Sequence, residues 1–80
     1  MKIEANIDII EANTDNVLDT AAVDVDMDYV EDNEDSIVEW IENSATWNIV
    51  SSNWQQSGKL VQFNVTNMQD IIEEMQSMMS

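Results

Sequence analysis

Apolar and polar residues alternate strictly at the start of the chain, over residues 2–9. Successive side chains of a β-strand point to opposite faces, so one parity can face a core while the other faces solvent. The pattern therefore predicts a strand over residues 2–9. Its inward-facing residues are Ile3, Ala5, Ile7 and Ile9.

The same alternation returns in the segment Val23–Asp35, where we predict a second strand over Val23–Val30. Its apolar parity consists of Val23, Val25, Met27 and Tyr29. Its acidic parity consists of Asp24, Asp26 and Asp28, which would project outward about 6.6 Å apart, twice the rise per residue of a strand. Four more acids follow, with no cation anywhere in the segment: Glu31, Asp32, Glu34 and Asp35.

Between these strands the apolar spacing predicts a short helix that Asn13 or Thr14 can cap. Its apolar positions follow an i, i+1, i+4, i+5 pattern and are Val17, Leu18, Ala21 and Ala22. Residues four apart lie on one side of a helix. We therefore expect a second acidic line on this helix, formed by Glu11, Asp15 and Asp19.

Two capping boxes predict two further helices, because a Ser or Thr cap and a Glu or Gln three residues later satisfy exposed amides reciprocally. One box is Ser36-Ile37-Val38-Glu39, and its helix is expected to end near Ser44. The other starts at Thr66 and includes Gln69. Its helix carries an apolar stripe of Met68, Ile71, Ile72, Met75 and either Met78 or Met79.

The remaining segments, Trp47–Gln55 and Lys59–Val65, suggest two strands joined as a hairpin around Ser57 and Gly58. The predicted order is β-α-β-α-β-β-α. This order is typical of an α+β fold with a largely antiparallel sheet and helices on one face. With no proline and no linker composition, residues 1–80 are predicted to form one domain.

The charge balance narrows the function classes. The chain has a formal net charge of −15, with 17 acidic residues, two lysines, and no arginine, histidine or cysteine. We expect no direct binding to nucleic acid and none to membranes, because both need a basic patch or a long apolar span. With no signal-type segment visible we expect an intracellular protein. Without a histidine, a thiol or a substrate-binding loop, we expect neither an enzyme nor a cofactor.

The acids are also unevenly placed. Fourteen of the 17 lie within residues 1–42, and residues 43–69 contain none. A small domain needs a net charge of magnitude only about 2–8 for solubility. We therefore interpret the acidic half as a binding surface for a basic partner. The candidate partner-binding residues are Asp15, Asp19, Asp24, Asp26, Asp28, Glu31, Asp32, Glu34 and Asp35.

DNA presents one phosphate charge per about 1.7 Å of its axis, and its binders meet it with grooves lined by Lys and Arg. A folded protein with rows of carboxylates offers such a groove a substitute polyanion. The pattern therefore favours a mimic of DNA that inhibits a basic nucleic-acid-binding protein.

The chain resembles the small acidic phage-type inhibitors that block CRISPR effectors or restriction enzymes by mimicking nucleic acid. The resemblance is one of class. It rests on length, charge, the missing Cys, His and Arg, and the acidic run before Ser36-Ile37-Val38-Glu39. That run is also similar to a stretch in a Cas-nuclease inhibitor from bacterial prophages. The resemblance implies a Cas effector, a restriction enzyme or another nuclease as partner, in the cytoplasm of a bacterial host.

Three alternatives stay open. An immunity or antitoxin protein that neutralises one basic nuclease toxin would use the same kind of acidic face. A calcium-binding module is suggested because Asp24, Asp26 and Asp28 are spaced as at the start of an EF-hand loop. Tyr29 then stands where that loop needs glycine, and Asp35 stands where it needs a bidentate glutamate. An acidic module of a larger assembly is the third alternative. A homodimer also fits the sequence.

Overall fold

A computed structural model describes residues 1–79, and Ser80, the last residue of the predicted domain, lies outside them. This part of the chain contains three strands and three helices, which confirms the predicted α+β class. The elements are β1 (Lys2–Glu11), β2 (Val17–Asp26), α1 (Glu34–Glu42), α2 (Ala45–Gln56), β3 (Val61–Val65) and α3 (Met68–Met79).

β1 is the central strand of the sheet. Across the described residues the strand order is β2-β1-β3, and both pairings are antiparallel, as predicted. Ala5 lies opposite Val23, and Ile9 lies opposite Phe63. Because side chains alternate along a strand, the odd-numbered residues around these pairs share one face of the sheet.

That face carries the core. α1 packs Ile37 and Ile41 against it, and α3 packs Ile71 and Met75. Burying an aliphatic side chain contributes about 1.5–3 kcal/mol, so this layer holds the sheet and helices together. The even-numbered side chains Glu4 and Asp24 are exposed on the other face. The buried residues of the described chain are Ala5, Ile7, Ile9, Val23, Val25, Ile37, Ile41, Ile71 and Met75.

Residues 13–22 form a turn and the first half of β2, not the predicted helix. Asn13 has a positive φ of 66°, which Asn tolerates better than most residues. The N–H of Thr14 bonds to the carbonyl of Glu11, and the N–H of Glu11 bonds to the carbonyl of Asn16. These bonds close a hairpin, so pairing with β1 satisfies the backbone groups that a helix would have satisfied internally.

The segment Trp47–Gln55 is helical, not a strand, and lies within α2. The hydroxyl of Ser44 caps this helix by accepting a hydrogen bond from the N–H of Trp47 at 3.2 Å. Trp47, Val50 and Trp54 are spaced at i, i+3 and i+7 and pack against the core. The helical spacing of these residues decides the structure, and β3 pairs with β1 instead of forming a hairpin.

Gly58 ends α2 and does not turn a hairpin. It has a φ of 82°, a conformation that favours glycine. Its N–H bonds to the carbonyl of Gln55, and the N–H of Lys59 bonds to the carbonyl of Trp54. This pair of bonds is the Schellman motif, which satisfies the last carbonyls of a helix.

The predicted capping boxes do not form. α1 begins at Glu34 because Asn33 is its N-cap, with the side-chain oxygen accepting from the N–H of Ser36 at 2.8 Å. The Ser36 hydroxyl accepts from the N–H of Glu31 at 2.9 Å. At α3, the Thr66 hydroxyl donates to the carbonyl of Asn6 at 3.2 Å. Both hydroxyls therefore tie loops in place.

Asn67 extends the sheet ladder past the end of β3. Its side-chain oxygen accepts from the N–H of Asn6 at 2.9 Å, and its amide nitrogen donates to the carbonyl of Glu4 at 2.9 Å. One side chain thus takes the place of a further residue of β3 and fixes the start of α3 on β1.

We expect Asn67→Ala to lower the free energy of unfolding by about 1–2 kcal/mol, because two hydrogen bonds of ordinary strength are lost. Urea denaturation followed by tryptophan fluorescence measures the change. Asn53→Ala, at an exposed position on α2, is the matched control and should change the same quantity by less than about 0.5 kcal/mol. Equal effects of the two substitutions would contradict the role given to Asn67.

Candidate functional site

The face of the sheet opposite the helices carries acidic side chains, and we call it the outer face. It displays Glu4 and Asp8 from β1 with Asp24 and Asp26 from β2. Glu4 lies directly opposite Asp24, and Asp26 lies opposite Lys2. The outer face is therefore acidic across two neighbouring strands, with one lysine at its margin.

The strand geometry sets the spacing of these carboxylates. Residues directly opposite in an antiparallel pair have Cβ atoms about 4.5–5.5 Å apart, and alternate residues along a strand lie about 6.6 Å apart. Like charges directly opposite each other destabilise a sheet, so the Glu4–Asp24 pair is unfavourable for folding. An unfavourable local interaction that no nearby contact compensates is typical of a functional surface.

The acidic segment after β2 forms a turn, because β2 ends at Asp26 and does not continue to Val30. The Asp26 carboxylate accepts from the N–H of Asp28 at 3.1 Å, and the N–H of Tyr29 bonds to the carbonyl of Asp26. The Asp28 carboxylate lies 3.3 Å from the amino terminus of Met1. Asp26 and Asp28 therefore have structural roles beside any role in binding.

The other acids beside this turn differ in how they are held. Glu31 and Asp32 are exposed in the loop before α1, where Glu31 accepts from the side-chain amide of Asn33 at 3.2 Å. Glu34 and Asp35 lie in the first turn of α1. Acids are stabilising at a helix N-terminus, so the helix dipole explains those two without any partner.

Asp15 and Asp19 lie apart from this group. Asp15 is in the turn between β1 and β2, and β2 spans about 30 Å at 3.3 Å per residue. Asp19 lies opposite Ile9, on the helix side of the sheet, and borders a hollow with Trp54 of α2. The predicted line with Glu11 does not form, because these residues are in a strand and a turn.

The structure brings Glu4 and Asp8 into the candidate site, and the sequence reasoning had missed them. The signal was present in the chain. Inward-facing Ile3, Ala5 and Ile7 leave Glu4 and Asp8 on the outward parity of β1. What the sequence could not supply is the register that sets Glu4 beside Asp24.

The acid-free residues 43–69 include α2 and β3. Trp47 of α2 packs edge-on against Phe63 of β3, with ring centroids 4.8 Å apart. Ile49 and Leu60 are exposed. The acid-free part of the chain thus exposes a mixture of apolar and polar side chains.

Within residues 1–79 no group of three or more acids is arranged to hold a metal ion. None of the described helices has the length and apolar character needed to cross a bilayer. Comparisons of the chain with protein-family models, with curated proteins and with solved structures gave no match.

We expect the Glu4–Asp24 pair to oppose folding by a few tenths of a kcal/mol at low salt. Glu4→Gln and Asp24→Asn should each raise or leave unchanged the free energy of unfolding. A double-mutant cycle by urea denaturation should show an unfavourable coupling that fades as salt rises. Asp26→Asn, opposite Lys2, is the control and should not stabilise. A favourable coupling between Glu4 and Asp24 would contradict the repulsion.

We expect no calcium binding tighter than about 10⁻⁴ M, the weak end of protein calcium sites. Asp24 and Asp26 lie on a strand, the Asp26 carboxylate accepts from the N–H of Asp28, and the Asp28 carboxylate lies beside the amino terminus, so the three do not fold around one ion. Isothermal titration at physiological ionic strength measures this. Micromolar calcium binding that is abolished by Asp28→Ala would contradict this expectation and support the calcium-binding module.

Proposed function

We propose that this protein inhibits a nucleic-acid-binding protein by occupying its basic DNA-binding groove as a mimic of DNA. The supporting observation is the outer face, where Glu4 and Asp24 lie side by side on the sheet, with Asp26 next to Asp24 on β2 and Asp8 about 13 Å further along β1. The exposed acids Glu31 and Asp32 are in the loop that follows. The only cations in the sequence are Lys2 and Lys59.

The physical basis is electrostatic. A groove that binds DNA is lined with Lys and Arg, and replacing small counterions by a fixed polyanion releases those counterions. The sheet holds the carboxylates of Glu4, Asp24 and Asp26 about 5–7 Å from their neighbours before the partner arrives, so little order has to be gained on binding. A net charge of −15 would also steer the encounter with a basic partner.

The targets that fit this chemistry are Cas effectors, restriction enzymes and other nucleases, in the cytoplasm of a bacterial host. An immunity protein that neutralises one nuclease toxin would use the same face. Competition with DNA distinguishes the two functions, since a DNA mimic and DNA exclude each other on the target.

The test is displacement of a labelled DNA duplex from purified effectors, restriction enzymes and nuclease toxins, measured by fluorescence anisotropy across a salt series. We expect displacement from a target that weakens steeply as salt rises. Reversing Asp24, Glu31 and Asp32 to Lys should cost about 3 kcal/mol of binding, at about 1 kcal/mol per contact.

Reversing Asp70, Glu73 and Glu74 to Lys is the matched control, because it changes the net charge equally on α3. This control should reduce binding far less than the variant that reverses Asp24, Glu31 and Asp32. Equal losses would mean that net charge alone drives binding. A complex that forms equally well on DNA-loaded target, or ignores salt, would overturn the mimic.

A further inference from the structure

A groove of about 700 Å³ is lined in part by β3, which is an edge strand of the sheet. All five residues of β3 line one side of it, from Val61 to Val65. Glu34, Val38 and Glu42 of α1 line the other side. Trp47 and Met68 complete the apolar lining. We call this feature the edge groove.

The backbone of β3 presents hydrogen-bonding groups to the edge groove. The N–H of Ala12 bonds to the carbonyl of Leu60, and the N–H of Thr66 bonds to the carbonyl of Asn6. In an antiparallel pair the bonded positions alternate, so the even-numbered residues of β3 bond to β1. No strand of residues 1–79 lies on the other side of β3. The groups turned toward that open side belong to Val61, Phe63 and Val65.

The opposite side of the groove has a regular charge pattern. Glu34, Val38 and Glu42 follow each other at intervals of four residues and so lie along one side of α1. They span about 12 Å at 1.5 Å per residue, and β3 spans about 13 Å. Along α1 an apolar residue is therefore flanked by two carboxylates over a length close to that of β3, and the lining contains no cation.

We propose that the edge groove binds an extended basic segment of a partner protein, which adds to the sheet as a strand beside β3. Backbone groups of the segment would pair with those of Phe63 and its neighbours, as in other strand additions. Alternate residues of a strand lie about 6.6 Å apart. Lys or Arg at positions i and i+4, with an apolar residue at i+2, would then match Glu34, Val38 and Glu42.

Charge decides between this occupant and a second copy of the chain. Pairing of two β3 edges would bring the Glu34 and Glu42 side chains of two grooves close together, on molecules that each carry a net charge of −15. Repulsion of this kind is a known protection of exposed edges against self-association. A cationic segment meets the same carboxylates favourably.

This inference goes beyond the proposed function, because the edge groove and the acidic outer face are separate surfaces. Glu4 and Asp24 are on the uncovered face of the sheet, whereas Glu34 and Glu42 are on α1, across the sheet from them. Variants of one surface leave the other unchanged. The failure of either proposal is therefore visible without the other.

The probe is a labelled peptide, acetyl-Ser-Thr-Lys-Thr-Leu-Thr-Lys-Thr-Ser-amide, titrated with the full chain and followed by fluorescence anisotropy. We expect saturable binding. Two N-methylated forms test strand addition, one methylated at the Lys and Leu amides and the other at the intervening Thr amides. Because backbone groups alternate along a strand, one form should lose binding and the other should keep it.

Two protein variants locate the peptide. Glu34→Gln with Glu42→Gln should weaken binding about tenfold, since two exposed charge pairs are lost. Glu73→Gln with Glu74→Gln on α3 is the matched control and should leave the affinity within about twofold. Val61→Pro removes an outward N–H of β3 and should abolish binding, with circular dichroism as the check on folding.

Equal binding of the two N-methylated peptides would overturn strand addition, and this result does not depend on any protein variant. An affinity unchanged in the Glu34 and Glu42 variant would overturn the site. No binding at about 1 mM peptide would overturn the proposal as a whole. A dimer in sedimentation velocity that Val61→Pro dissociates would assign the edge groove to a second copy instead.

Discussion

The structure depends on a sheet that is buried on one face only. Ala5, Ile7 and Ile9 on β1 anchor the packing of α1 and α3, and α2 packs at the margin of the same layer. In residues 1–79 no helix is placed on the other face, so the outward parity of β1 and β2 can be polar or charged at little cost in burial. This constraint lets acids concentrate on one surface while the apolar interior stays free of them.

The charge of the outer face is almost entirely unneutralised by ion pairs within the described chain. The two ion pairs of the described chain join Lys59 to Glu11 at 2.7 Å and the amino terminus to Asp28 at 3.3 Å. Both are at least partly exposed, and pairs of that kind contribute about 0–1 kcal/mol. Glu4 and Asp24 have no such partner in the structure as described. The hydrophobic core therefore has to outweigh a repulsion between carboxylates that the fold itself does not need. Binding of a charged partner would explain why these carboxylates are present.

Local patterns predicted the helices and strands whose periodicity was unambiguous. They failed where the choice between helix and strand depended on contacts with the rest of the fold. The parity of β1 and the inward stripe of α3 follow from the sequence. Val17, Leu18, Ala21 and Ala22 fit a helix as well as a strand, and only a hairpin partner settles the choice. Gly58 serves a helix end as readily as a turn, so its presence alone could not separate α2 from a hairpin. The acidic residues were visible in the sequence, but their register was not.

The two proposed surfaces would bind through different interactions, long-range electrostatic attraction at the outer face and backbone hydrogen bonds at the edge groove. Charges on the outer face act at the range of the Debye length, about 8 Å at physiological salt, and need little shape complementarity. Strand addition at β3 needs contact and a fixed register, since backbone groups bond at about 2.9 Å. The acid-free stretch of residues 43–69 includes β3 and Trp47 of the edge groove, while the acids that flank it come from α1. A partner that meets both surfaces would gain its rate of approach from one and its orientation from the other.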